Sequence, residues 1–254
     1  MSTTITTDLS PISLEELVAQ AAMLTRVDRK YVLCHADVQQ VIDGLNPATR
    51  VLMLNGRAPQ PYRSTYFDTP DLRSFYLAAH PRRHKFKVRT RTYVDSKMAF
   101  LEVKAKGSRG VTVKERIPYD FNAAMQDVLI DDVRPWLEER LVAAGQPTGT
   151  GVHLQPTMWG SYHRTTLLMA DGAGRATFDT ELDWANARGD YLTRPHMVIF
   201  ETKSGSRPSE LDRLLWANGH RPVKISKFGT GMAALNPTLP HNRWHKVLHQ
   251  HFYN

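Results

Sequence analysis

The chain has 254 residues, 41% of them hydrophobic, enough apolar material for one large β-rich domain or two small ones. Its 33 Lys+Arg against 25 Asp+Glu leave a formal charge of +8, which favours an anionic partner: nucleic acid, phosphate or an anionic surface. A lone cysteine, Cys34, excludes an internal disulfide, and no apolar run approaches the roughly 18 residues of a membrane span. The N-terminus carries no basic segment followed by an apolar one, so a soluble cytoplasmic protein is the expectation.

In chain order, residues 1–12 are polar and Thr-rich and read as a disordered tail. Ser13 and Glu16 form a capping box that opens a short helix, with Leu14, Leu17, Val18 and Ala21 on one face. Arg26 to Tyr31 is a strand candidate with Arg26, Asp28 and Lys30 on one side. Val38, Val41, Ile42 and Leu45 mark a second helix, ended by Asn46-Pro47, and Tyr62 to Asp68 reads as a strand.

The densest pattern follows, from Lys85 to Ile117. Three segments alternate with period two: Lys85 to Tyr93, Phe100 to Lys106, and Val111 to Ile117. Lys85, Lys87, Arg89 and Arg91 share one face of the first; Glu102, Lys104 and Lys106 of the second; Thr112, Lys114 and Arg116 of the third. The turn-rich links at Asp95-Ser96 and Gly107 to Gly110 predict consecutive antiparallel hairpins, so these faces form one surface. Like charges abreast on a sheet repel. A solvated amphipathic face ordinarily mixes its signs, whereas a dense cationic one is explained by an anion that neutralises it.

Ala123 to Ala144 turns helical, with Pro135 expected to kink it or divide it into two helices. Thr157–Thr165 and Arg175–Thr180 flank the hairpin signal Asp171-Gly172-Ala173-Gly174. Met197 to Lys203 is another strand, Pro208 to Gly219 a short helix, and Val223 to Phe228 a last strand or extended segment. Eight or nine strands with helices between groups of them, and no βαβ rhythm, predict an antiparallel α+β fold. Eight such strands are enough to close into a barrel around a small ligand.

The charged positions recur as a set of motifs: Arg-x-Asp-Arg-Lys-Tyr (26–31), Tyr-Phe-Asp-Thr (66–69), Lys-Val-Arg-Thr-Arg-x-Tyr (87–93), Leu-Glu-Val-Lys (101–104), Val-Lys-Glu-Arg (113–116), Tyr-His-Arg (162–164), Phe-Asp-Thr-Glu-Leu (178–182), Phe-Glu-Thr-Lys (200–203) and Lys-Ile-Ser-Lys-Phe (224–228). Together, and in this order, they resemble the vacuolar transporter chaperone (VTC) domain, the polyphosphate-polymerase branch of the triphosphate tunnel metalloenzymes. The resemblance implies an eight-stranded antiparallel β-barrel tunnel with helices packed outside, over residues 13–238, followed by a C-terminal helical extension at 239–254. It further implies a catalytic set of Arg89, Arg91, Lys104 and Lys227. Substrate binding falls to Lys30, Lys87, Lys106, Lys114, Arg116, Tyr162, Arg164, Lys203 and Lys224. Glu201 and Glu102 are the implied ligands of a divalent metal, Mn²⁺ or Mg²⁺. The implied partners are ATP and inorganic polyphosphate, with no nucleic acid and no membrane span.

One departure bears on reaction type. Hydrolases of the wider superfamily begin with Glu-x-Glu-x-Lys, whereas Arg26, Asp28 and Lys30 stand at the corresponding positions. Exchanging an acid for arginine removes metal-binding capacity and adds phosphate affinity, which favours polymerase over hydrolase. Two alternatives are a triphosphatase with the same tunnel and a non-catalytic polyphosphate- or nucleic-acid-binding module. The latter lacks interleaved exposed aromatics and a known RNA-binding motif. Residue by residue, Glu102, Glu181 and Glu201 also fit simple ion pairs, and Asp179 fits an anchor for an arginine. His245 and His249 have i, i+4 spacing but no accompanying acid, and read as a surface helix end.

Overall fold

The structure, a computed structural model, describes residues 9–20, 27–80, 82–106, 112–170 and 174–253. Arg26 and the sequence-predicted turns at 107–110 and 171–173 lie outside them. The elements in order are β1 (Ser10–Ile12), α1 (Leu14–Gln20), β2 (Val27–Cys34), α2 (His35–Asp43), β3 (Arg50–Leu52), β4 (Gln60–Asp68), α3 (Arg73–Ala79), β5 (Phe86–Tyr93), β6 (Met98–Lys106) and β7 (Thr112–Tyr119). Then come α4 (Phe121–Met125), α5 (Arg134–Ala143), β8 (Gln155–Leu168), β9 (Arg175–Asn186), β10 (Tyr191–Arg194), β11 (Met197–Ser204), α6 (Glu210–Ala217), α7 (Lys227–Leu235) and α8 (His245–His251). The expected α+β class with antiparallel strands is what is found. The hydrogen-bonded strand order is open among the described residues, with β2 and β7 at its ends.

The chain divides into two compact units. The first takes residues 1–60, 162–182 and 194–225. Here β11 lies between β2 and β9, antiparallel to both, and Glu201 stands opposite Lys30 on one side and Thr177 on the other. Behind this sheet Val38, Val41 and Ile42 of α2 and Leu211 and Leu215 of α6 bury against Tyr31, Leu33, Phe178, Val198 and Phe200. Truncating a fully buried leucine such as Leu211 to alanine costs about 2–5 kcal/mol in such a core.

Ser209 and Asp212 cap α6 reciprocally: the Asp212 N–H donates to Ser209 Oγ at 3.1 Å, and the Ser209 N–H to Asp212 Oδ2 at 2.8 Å. The same buried carboxylate accepts from Tyr31 Oη at 2.7 Å and Thr202 Oγ1 at 2.6 Å. Tyr31 and Thr202 alternate with Lys30, Glu201 and Lys203, so this network pins the rear of both strands and turns their charged residues to the other face.

Within the segment expected to be a disordered tail, Ser10–Ile12 pair in parallel with Arg50–Leu52, while residues 1–8 lie outside the described residues. Ile12, Leu17, Leu52 and Leu168 bury together there. The capping box at Ser13 and Glu16 is present, with the reciprocal hydrogen bonds at 3.0 and 3.2 Å.

The second unit takes residues 61–161, 183–193 and 226–254. Its strand order runs β8–β4–β5–β6–β7. The helical stretch from Ala123 onward is divided: α4 ends at Met125, and Pro135 sits in the first turn of α5, where its missing N–H costs nothing. Leu137 and Leu141 of α5 cover the outer face of Val88, Leu101 and Val103. Asp68, fully buried at the end of β4, accepts from the N–H groups of Thr69, Ser74 and Phe75 at 2.7–2.9 Å and so holds the start of α3.

The segment from Val223 does not continue as a strand through Phe228. It ends at Ser226, whose Oγ accepts from the Gly229 N–H at 3.1 Å and caps α7. Lys227 therefore opens a helix. Gly229 and Gly231 serve close packing inside it: a Cβ on Gly229 would strike the Trp244 ring, and one on Gly231 would meet Trp184 Cδ1 at 2.5 Å. Among the described residues no helix is long and apolar enough to cross a membrane.

Candidate functional site

In the second unit the antiparallel register sets side chains of one face in transverse rows. Tyr66, Arg89, Glu102 and Arg116 make one row; Lys87, Lys104 and Lys114 make the next. Beyond it the Lys106 N–H donates to the Lys85 carbonyl at 3.1 Å, and Lys106 stands opposite Thr112. The odd-numbered β5 positions and even-numbered β6 and β7 positions thus form a single cationic surface.

Glu102 is the acid that organises it. Its carboxylate, 2% exposed, meets Arg89 Nη2 at 2.6 Å, Lys114 Nζ at 2.7 Å and Arg91 Nε at 4.0 Å. Burial pushes this carboxyl up, but Arg89, Arg91 and Lys114 outweigh it and hold it well below the usual carboxylate range. Aromatic faces support the cations: Arg89 lies 5.9 Å from the Tyr66 ring, Arg91 5.9 Å from Tyr62, and Arg116 4.5 Å from Phe100. Lys87 sits over the stacked pair of Tyr66 and Phe228 and donates to Ser226 Oγ at 3.1 Å. That contact brings the first turn of α7, with Lys227, next to the β5 face. Lys87 so near a helix N-terminus is an unfavourable placement that an anion would relieve. In the sequence Ser226 and Phe228 stand only as members of the 224–228 motif, and Tyr62 only as the start of a strand. The serine was findable as a cap three residues before Gly229, Tyr62 only from strand register, and Phe228 only from the packing of α7 against Tyr66.

In the first unit Glu201, 16% exposed, meets Lys203 Nζ at 3.0 Å and Lys30 Nζ at 3.7 Å. Burial raises its carboxyl, yet Lys30, Lys203 and Arg164 together hold it well below the ordinary range. Arg164 forms a fork with Asp179, Nε to Oδ1 at 2.6 Å and Nη2 to Oδ2 at 2.8 Å, and its guanidinium lies 5.3 Å from the buried Tyr162 ring. Asp179 is thus the arginine anchor its spacing suggested. Glu181 instead pairs with His163 at 2.9 Å on an exposed flank. Lys224 lies just beyond Val223, whose N–H donates to the Lys30 carbonyl at 2.8 Å. The sequence-predicted residues therefore gather as two cationic faces, one in each unit, each built around one low-pKa carboxylate. The C-terminal histidines touch one another instead: the His245 and His249 rings are 4.2 Å apart, tilted by 52°, on the exposed side of α8.

The model of the VTC domain matches residues 25–236. The chain belongs to the VTC domain family. A search of curated proteins found no match. Among solved structures this VTC domain is similar to HpAC1 from Hippeastrum, described as an adenylyl-cyclase candidate with a dominant triphosphatase activity. That likeness has a TM-score of 0.53 at 16% identity, spans 82% of this chain and 96% of the other, and bears on the fold alone. A Pyrococcus horikoshii OT3 protein aligns at 10% identity with a TM-score of 0.40 over 77% of this chain and 88% of its own.

Among the described residues no three His, Cys, Asp or Glu side chains lie close enough to hold an ion by themselves. The Glu102 carboxylate meets Arg89, Arg91 and Lys114, and that of Glu201 meets Lys30 and Lys203. This fits a hard ion that shares one carboxylate with phosphate oxygens and water, the usual mode for Mg²⁺, and does not fit a cage made by the protein.

The row of three lysines predicts a pH dependence. Lys114 is pushed down to about 8, first by burial and then, against the pull of Glu102, by Arg91 and Arg89. Up to about pH 8 it is charged in both folded and unfolded chains. Above that only the unfolded chain keeps the proton, so stability without ligand rises with pH until the ordinary lysine value is reached. A bound polyanion favours the charged form. Triphosphate affinity is therefore expected to fall as pH rises past about 8 in the wild type. Calorimetric titrations from pH 7 to 9.5 check this, and Lys114→Met should flatten the profile. An equally steep profile in that variant would place the titrating group elsewhere.

Proposed function

We propose that this VTC domain is a phosphotransferase that moves the γ-phosphate of ATP onto inorganic polyphosphate and releases ADP. The observation that carries the reading is the pair of cationic faces, Arg89, Arg91 and Lys114 around Glu102 with Lys104 in the next row, and Lys30, Lys203 and Arg164 around Glu201, on a chain of this family. The reading takes the antiparallel strands to close into the eight-stranded tunnel that the family resemblance implies.

Phosphoryl transfer asks the protein mainly for in-line positioning and for charge neutralisation on the transferred group. Arginines supply forked contacts to phosphate oxygens and lysines supply point charges. Arg89, Arg91, Lys104 and Lys227 are assigned to the reacting phosphates. Lys30, Lys87, Lys106, Lys114, Arg116, Tyr162, Arg164, Lys203 and Lys224 are assigned to binding along the chain. The terminal phosphate of polyphosphate is already anionic near neutral pH, so no general base is required of the protein. Glu201 would hold Mg²⁺ or Mn²⁺ together with phosphate oxygens, and the ion when bound neutralises charge on the β- and γ-phosphates. Glu102, saturated by three cations, is assigned as their counter-ion.

A triphosphatase is the second reading, favoured by the activity described for the Hippeastrum protein. Incubation with ATP and Mg²⁺ or Mn²⁺ separates the two. Polymer transfer yields ADP with acid-insoluble polyphosphate, whereas hydrolysis yields an equal amount of free phosphate and no polymer. Triphosphate is expected to raise Tm well above the effect of a DNA oligonucleotide of equal charge, since a ligand at 100 times its Kd adds about 2.7 kcal/mol. Equal stabilisation by DNA would point to a nucleic-acid module.

A further inference from the structure

We propose that Arg243, on the C-terminal segment after the VTC motifs, joins Lys85 and Lys106 in a second anion subsite that takes the part of a polyphosphate chain beyond its first three phosphates. This rests on the reading of the β5–β7 face as a polyphosphate site.

The face is not uniform in charge. In the rows of Arg91 and Arg89 the cations share Glu102. Two positions farther along come Lys87, Lys104 and Lys114 abreast, and two farther still the backbone-paired Lys85 and Lys106. The charges that act on the half-buried Lys85 ammonium are all positive: Arg243, Lys106 and Lys104. Burial first, and then these like charges, push it down, a crowding that a bound anion would relieve.

Arg243 is held there by its neighbour. Trp244 is buried, its ring 5.8 Å from that of Phe75 and closed against Gly229, where no side chain would fit. The Trp244 N–H donates to the His241 carbonyl at 2.8 Å, closing the turn that presents Arg243. The backbone from which Arg243 projects is thus set beside the start of α7. From Arg89 to Lys85 is four residues of strand, roughly 13 Å, farther than the two P–O–P links of a triphosphate extend. An anion seated at Arg89 and Arg91 therefore reaches Lys85, Lys106 and Arg243 only if it is a longer chain.

The test compares tripolyphosphate with a medium-chain polyphosphate by calorimetric titration at physiological ionic strength, on wild type, Arg243→Gln, Arg243→Lys and Lys85→Met. Arg243→Gln and Lys85→Met should each weaken the medium chain by about tenfold, the loss of one charge-assisted contact, and leave tripolyphosphate within about twofold. Arg243→Lys keeps the charge and should recover most of the loss, which a merely structural role of Arg243 would not produce. Equal losses for both ligands, or none for either, with wild-type binding intact, would overturn the subsite and leave the polyphosphate site standing. Failure of the wild type to bind either ligand would overturn the polyphosphate reading, and the subsite with it.

Discussion

Glu102→Gln is expected to destabilise the ligand-free protein by about 3 kcal/mol while tightening its grip on triphosphate. The carboxylate is almost fully buried and is shared by Arg89, Lys114 and Arg91. Glutamine keeps the volume and one acceptor but removes the charge, leaving three cations of one face to repel one another. Breaking a buried ion pair from one side costs more than the pair contributed, because the remaining charge has lost its compensation. A triphosphate supplies that compensation from outside, so the variant's deficit in denaturant midpoint should largely disappear when the ligand is saturating. Chemical denaturation of both proteins, with and without tripolyphosphate, decides it. An unchanged midpoint without ligand would mean that solvent already neutralises these cations. A variant that folds normally but needs far more metal for turnover would return Glu102 to the metal ligands.

The cationic faces were legible because period two is enforced by the pleat, and a charge at every second residue has little other explanation. Which cations share which acid was not legible, since it depends on register. Glu102 faces Arg89 and Arg116 directly, yet it reaches Lys114 diagonally from the next row. The short elements were missed for a related reason. Three residues of β1 carry no periodicity, and α3 is capped by Asp68 from the end of a preceding strand rather than by a residue at its own start. Around Lys227 local composition misled: Val223 to Phe228 has the β-branched and aromatic content of a strand. The helix wins because Ser226 caps it and two glycines let tryptophans from distant sequence close on it.

Glu201→Gln is expected to reduce metal-dependent phosphoryl transfer by about 100-fold or more without unfolding the protein. The contrast with Glu102 lies in what surrounds each carboxylate. Glu102 has two short contacts and a third at the limit, while Glu201 has one at 3.0 Å and another at 3.7 Å, and stays more open to solvent. Against burial, Lys30, Lys203 and Arg164 hold its carboxyl well below the ordinary range, so an anionic oxygen is ready at neutral pH. Because Arg164 is already clamped by Asp179, removing the Glu201 charge leaves only two lysines to rearrange, and the effect on Tm should be small. Binding of tripolyphosphate without metal should be unchanged or tighter, since a repelling carboxylate has gone. Turnover is measured across a Mg²⁺ and Mn²⁺ titration beside Lys203→Met, which breaks the shorter ion pair and keeps the carboxylate. If Glu201→Gln turns over like wild type at every metal concentration, Glu201 is the counter-ion of Lys30 and Lys203 and nothing more. If Lys203→Met loses activity as Glu201→Gln does, and metal rescues neither, the pair acts as one positioning unit and the metal is held by phosphate alone.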